Sequence, residues 1–180
     1  MEIPGISPSS SPRFVLTTEP PNEQDKDEWL RARDEPIPPG TPPELVNKFY
    51  DNRAMSINVL AVAMRDTEGF TGVRDVEGNL QAGASITNER DHIYIDNFST
   101  APWNIFRISP KSVRGAGEAL MAEIVKESIN RGHGGEIRLN PLSGSVGFYT
   151  RIGFVVDEET DEMILTSQSA RLFLSDMESR

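Results

Sequence analysis

A chain of 180 residues with 37% apolar content is long enough for one domain with a sizeable core, and a formal net charge of −10 argues against a general polyanion binder. The lack of cysteine removes disulfides, thiolate metal sites and cysteine nucleophiles, and His92 and His133 are too few for most metal centres, so no metal is expected. The longest apolar run, Val59 to Met64, is far short of a membrane span and the N-terminus lacks a basic-then-apolar leader pattern, which predicts a cytoplasmic protein with no membrane or nucleic-acid partner.

Ten of the thirteen prolines lie within residues 1–43, and the Ser/Pro-rich residues 1–12 are expected to be disordered, with a single domain over 13–180. Phe14 to Thr18 reads as a first strand and Asp25 to Arg33 as an acidic helix. Pro36 to Gly40 then interrupts the chain. Thr41, with Glu44 three residues later, predicts the N-cap and capping box of a second helix that runs to about Arg65 with a break near Asn52. Phe70 to Val76 and Leu80 to Thr87 flank Glu77-Gly78-Asn79 as a hairpin, with Leu80, Ala82, Ala84 and Ile86 expected on one face. His92 to Phe98 is the next strand. A helix from Gly117 carries Leu120, Met121, Ile124, Val125 and Ile129 at helical spacing, and Gly132 to Gly135 ends it. Glu136 to Asn140 is a strand, a short helix surrounds Tyr149 and stops at Gly153, and Phe154 to Val156 and Met163 to Thr166 are two further strands. Ala170 to Met177 fits either a strand or a helix.

Charge is uneven along this layout. Residues 19–35 hold seven acids and three bases, residues 157–180 hold seven acids and two bases, and Arg107 to Arg114 holds three cations and no acid. The basic stretch coincides with a glycine turn, Arg114-Gly115-Ala116-Gly117, directly before the amphipathic helix. Gly115 and Gly117 allow close backbone approach to an anion, the first helical turn adds free N–H groups and the positive dipole end, and Lys111 and Arg114 add countercharge. A Walker A loop would need Lys-Ser/Thr after Gly117, where Glu118-Ala119 stands. The dinucleotide fingerprint would need a small residue at Leu120 and a following βαβ unit.

The run 109–154 resembles the GNAT family of acyl-CoA-dependent N-acyltransferases, whose signature is a strand, Arg/Gln-x-x-Gly-x-Gly/Ala, a helix, a strand, and a short helix with Phe/Leu-Tyr-x-x-x-Gly-Phe. Ser112 to Gly117 matches the loop except that Ser112 replaces Arg/Gln, and Phe148-Tyr149-Thr150-Arg151-Ile152-Gly153-Phe154 matches the last element. Thr100 to Asn104 is similar to a segment that some members carry after the fourth strand. The resemblance implies an α/β (α+β) GNAT fold: a mixed, mostly antiparallel sheet of six to seven strands, helices on both faces, and splayed fourth and fifth strands.

The resemblance further implies acetyl-CoA as co-substrate and direct transfer of its acetyl group to a primary amine in a ternary complex. That chemistry needs positioning, an N–H near the thioester oxygen, a proton acceptor for the ammonium and a donor for the thiolate. The backbone of Phe98, Ser99 and Thr100 is implied to pair with the pantetheine arm, and Val113, Arg114, Gly115, Ala116, Gly117 and Glu118 to hold the pyrophosphate, with Lys111 or Arg114 supplying the cation that Ser112 does not. Tyr149 matches the tyrosine that protonates the leaving sulfur. Asp96, two residues before Phe98, is the candidate base, with a buried partner for a local arginine or a strand-end hydrogen bond as its structural alternatives. Asn140 ends the fifth strand where many members bond the pantetheine, although its spacing to Phe148 is longer than usual. Trp103-Asn104 would line the acceptor cleft or cover the sheet edge. The acceptor, a small molecule or a protein amine, is not legible. A GNAT-fold module that holds CoA or a partner without turnover, and an effector or toxin that acetylates a macromolecule, are the other readings. A homodimer through Met163 to Met177 is a further expectation.

Overall fold

The computed structural model describes residues 13–180, so the expectation for residues 1–12 lies outside the described residues. Seven strands form one sheet in the order β1-β2-β3-β4-β5-β7-β6. They are β1 (Phe14–Thr17), β2 (Phe70–Asp75), β3 (Leu80–Asn88), β4 (Ile93–Thr100), β5 (Ile137–Leu139), β6 (Val155–Val156) and β7 (Met163–Leu165). All neighbours are antiparallel except β4 and β5, which run parallel because the helix between them makes the crossover.

Helices α1 (Glu23–Arg33) and α2 (Pro43–Arg65) cover one face, and α3 (Ala116–Asn130), α4 (Val146–Ile152) and α5 (Ser167–Glu178) cover the other. Two cores follow from this layering. Trp29, Val59, Leu60, Ala63, Phe70, Leu80 and Trp103 pack beneath α1 and α2. Ala82, Ala84, Ile93, Ile95, Leu120, Ile124 and Phe173 belong to the opposite core, with Tyr149 and Phe154. Leu80 therefore does not share a face with Ala82 as alternation predicts. Val73 pairs with Ala82 but Arg74 with Leu80, so Gln81 is an extra residue in β3 and the bulge turns Leu80 to the α1 side.

The second helix begins later than its capping signal implies. Pro43 occupies the first helical turn, Pro42 is the N-cap, and the Thr41 hydroxyl donates backward to the Pro38 carbonyl at 2.5 Å. α2 also continues unbroken through Asn52, which is buried among bonds to β4. At its other end α3 exposes Ile129, where the stripe predicts core. The C-terminal ambiguity resolves as helix: Thr166 Oγ1 accepts from the Ser169 N–H at the N-cap, and Ala170 and Phe173 pack inward. The Met163–Met177 segment is thus one internal strand plus a helix packed against α3. No described helix is long and apolar enough to cross a membrane.

Candidate active site

Pairing between β4 and β5 covers only Ile93–Ile137, Tyr94–Arg138 and Ile95–Leu139. β4 continues to Thr100 with no β5 partner, which opens a wedge in the sheet. A cavity of about 200 Å³ occupies this wedge, walled by β4, the face of α2 from Lys48 to Met55, the end of β5, and α4.

A second bulge shapes the wall. Ser85 pairs with Asn97 but Ile86 with Ile95, which leaves Asp96 as the extra residue in β4. Downstream of it the side chains exchange faces. Phe98 joins Tyr149 and Phe148 on the α3–α4 side, with ring centroids 6.2 and 5.8 Å away, whereas Ser99 turns toward α2. Asp96 is exposed at the cavity edge, and its Oδ2 accepts from Thr87 Oγ1 at 2.7 Å, so the strand-end bond is real and leaves Oδ1 without a partner among the described residues.

Tyr149 lines the cavity from α4 and is only 5% exposed, with aromatic contacts to Phe98, Phe148 and Phe154. The short helix is stopped by Gly153 at φ 117°, a left-handed conformation suited to glycine. Burial pushes the Tyr149 phenol well above its ordinary value of 10, so it is a protonated donor throughout the neutral range. Asn140 sits at the far lip, where its Nδ2 donates to Tyr94 Oη at 3.0 Å.

At the other end, Gly115 is the N-cap of α3 with φ 84° and no side-chain cap. The first helical bond runs from Ala119 N–H to the Gly115 carbonyl, which leaves the N–H groups of Ala116, Gly117 and Glu118 ahead of the ladder. Gly117 is needed for packing as well: a Cβ there would lie 3.2 Å from the Phe148 ring and 3.4 Å from Thr100 Cγ2. Arg114 is exposed and has no carboxylate partner among the described residues. Glu118 lies 3.7 Å from Arg180.

Several expected donors are already engaged. Lys111 Nζ is 2.8 Å from Glu28 and lies over the Trp103 ring, so its charge is neutralised within the fold. The Val113 N–H donates to Asn104 Oδ1 at 2.9 Å, and Ser112 Oγ donates to the Trp103 carbonyl at 2.7 Å. The Thr100 carbonyl accepts from both Asn52 Nδ2 and Ser99 Oγ, at 2.8 and 2.9 Å. Phe98 and Ser99 are left as the open stretch of β4 backbone.

Trp103 and Asn104 do not line the wedge cavity. They form a staple with Gln81, the bulge residue, which is completely buried. Gln81 Oε1 accepts from Trp103 Nε1 at 3.0 Å and Asn104 Nδ2 at 2.9 Å, while its Nε2 donates to Asp75 Oδ2 at 2.8 Å and the Lys111 carbonyl at 3.0 Å. This one amide ties the 101–113 loop to the sheet. Sequence reasoning overlooked Gln81 and Asn52 as site supports, and the only readable signal was a polar residue inside each apolar pattern.

No family model matches the chain, and no curated protein does. Solved structures do match. A protein of Exiguobacterium sp. 255-15 assigned to the acetyltransferases superposes with a TM-score of 0.53 at 14% identity, over 87% of this chain and 95% of that one. N-acetylglutamate synthase of Neisseria gonorrhoeae, solved with coenzyme A and N-acetyl-glutamate, gives 0.53 at 13% identity over 93% of this chain and 34% of its own. The chain therefore spans about a third of that synthase. With its motifs in order, its parallel β4–β5 pair splayed after three residue pairs and its helices on both faces, this chain has the fold of the GNAT acyltransferase superfamily.

Proposed function

We propose that the protein is an N-acetyltransferase that moves an acetyl group from acetyl-CoA to a primary amine by direct attack. The observation that carries this reading is a buried, protonated Tyr149 on the wall of a wedge whose opposite wall is an unpaired strand edge, with free helix N–H groups at the end of the same strand. The residues present fit an acyl-CoA. Unpaired N–H groups at Ala116, Gly117 and Glu118, beside Arg114, suit a pyrophosphate, and the open Phe98–Ser99 edge suits an extended amide chain.

The thioester supplies an activated acetyl carbonyl. Asp96 Oδ1 is the acceptor for the ammonium proton, which leaves the neutral amine to attack the carbonyl carbon. The N–C bond forms and the C–S bond breaks. The Tyr149 hydroxyl donates to the departing sulfur, and because a thiolate has a conjugate pKa of about 8.5, this phenol acts best as a hydrogen-bond donor, with the final proton drawn from solvent or from the positively charged nitrogen of the tetrahedral intermediate as it collapses to the amide. Aromatic contacts on three sides hold the phenol in place.

Calorimetric titration with acetyl-CoA tests the reading. Arg114→Ala is expected to weaken binding about tenfold, a loss of about 1.4 kcal/mol, and Lys111→Ala much less because Glu28 already neutralises that lysine. No heat at millimolar acetyl-CoA would refute it. Binding with no thiol release to any amine would favour a module that holds CoA without turnover, and a turnover unaffected by Tyr149→Phe would remove Tyr149 as the donor.

A further inference from the structure

The α2 face that walls the cavity carries Lys48, Asp51, Asn52 and Met55, spaced at helical repeats. Asn52 is 8% exposed, and its Oδ1 is buried with no hydrogen-bond partner. The amide orientation is fixed chemically. Its Nδ2 faces the Thr100 carbonyl, which can only accept, and Ser99 Oγ, whose own hydrogen goes to that same carbonyl. Turning the amide would set oxygen against oxygen, so Oδ1 must look elsewhere for a donor.

The charged groups of the cavity divide in a matching way. Each carboxylate is engaged through one oxygen only: Asp51 Oδ2 accepts from the Gly144 N–H at 2.9 Å and Asp96 Oδ2 from Thr87 Oγ1, while neither Oδ1 has a hydrogen-bond partner among the described residues. Both cations lack a carboxylate among the described residues. Lys48 is exposed one turn before Asn52, and Arg151 is exposed on α4, bonded at 3.3 Å to the Gly147 carbonyl and 6.0 Å from the Phe148 ring centroid. One helical turn separates Lys48 from Asn52, about 6 Å along the axis.

Resting on the acetyltransferase reading, we infer that the acceptor is a primary amine that also carries an anionic group several bonds away, a carboxylate or phosphate. Its ammonium meets Asp96 and its anion meets Lys48 and Arg151, with Asn52 on the same α2 face as Lys48. This runs against the protein's net charge of −10, which would favour a purely cationic amine. Local complementarity decides at the cavity because screening limits the reach of the distant acids to about 8 Å at physiological salt.

Matched pairs test the inference: 4-aminobutyrate against propylamine, and O-phosphoethanolamine against ethanolamine, each followed by thiol release from acetyl-CoA. The anionic member is expected to have about tenfold higher kcat/KM, with the preference falling below about threefold in Lys48→Met and in Arg151→Met. Equal use of both members, or preference for the neutral one, overturns the inference. So does a tenfold loss of acetyl-CoA affinity in these variants, since the cations would then serve the donor's phosphates. If acetyl-CoA binds and none of the four amines reacts, the acceptor class fails while the donor reading stands; if acetyl-CoA does not bind, it is the acetyltransferase reading that fails.

Discussion

Gln81→Met removes four hydrogen bonds at the bulge of β3 while preserving side-chain length, so its effect reads polar contacts rather than a cavity. The Trp103 indole N–H is left buried and unpaired, a loss of about 1–3 kcal/mol. Asn104 Nδ2, Asp75 Oδ2 and the Lys111 carbonyl are only partly buried and recover water, at about 0.5 kcal/mol each. Against a gain of about 1 kcal/mol from burying the thioether, the net loss is about 2.5 kcal/mol. For a domain of this size that lowers Tm by about 5–10 °C. Thermal unfolding followed by circular dichroism measures it at neutral pH. Asp75 adds a pH signature. Burial alone would raise its pKa, but bonds from Asn79, Gln81 and nearby N–H groups outweigh that and hold it below its ordinary 3.8. Its stabilisation is therefore present above pH 3.8 and lost as pH falls through the depressed folded value, so the gap between wild type and variant should narrow in acid. A Tm shift under about 2 °C would refute the view of Gln81 as the clamp of the 101–113 loop.

Tyr149→Phe should lower turnover by about 10- to 100-fold with acetyl-CoA affinity within about twofold, measured by thiol release and calorimetry. Because burial raises the Tyr149 pKa, its contribution to stability is complete below pH 10 and declines as pH rises further, by up to about 1.4 kcal/mol per unit. Urea unfolding at pH 9 and 11 should show that decline diminished in the phenylalanine variant, and equal declines would count against the buried neutral phenol. Asp25→Asn splits the two-pronged contact with Arg74, at 2.8 and 2.7 Å, and weakens the capping box with Asn22, so a loss of about 2–4 kcal/mol is expected in denaturant titration. Gly135→Ala forces a Cβ at φ 95° to within 2.7 Å of the Ala170 Cβ, and a loss of at least about 2 kcal/mol, read by the same titration, is expected as α5 is pushed away.

The order of elements was legible because each segment announces itself locally: glycines at Gly115 and Gly153, the α3 stripe, and alternation in the strands all act within a few residues. What escaped was produced at a distance. The bulges at Gln81 and Asp96 interrupt alternation without any sequence mark, so the faces of Leu80 and Phe98 followed only from the register. The partners of Gln81 lie between 6 and 30 residues away and those of Asn52 lie 47 and 48 away, and a polar residue in an apolar strand or helix gives no hint of where its bonds go. The same is true of Lys111 and Val113, which the basic loop offered as phosphate donors and which the fold consumes in bonds to Glu28 and Asn104.

The extra residue at Asp96 also separates side-chain placement from strand shape. Ile95 and Phe98 face the same core although they are three residues apart, so removing one residue between them would restore regular alternation and leave Phe98 beside Tyr149 and Ser99 toward α2. What such a deletion removes is the local bend and added twist that a bulge imposes, at the point where β4 parts from β5. The shape of the wedge thus depends on the count of residues in β4 as well as on their identity, whereas the Asp157–Glu162 turn between β6 and β7 carries no such constraint on length.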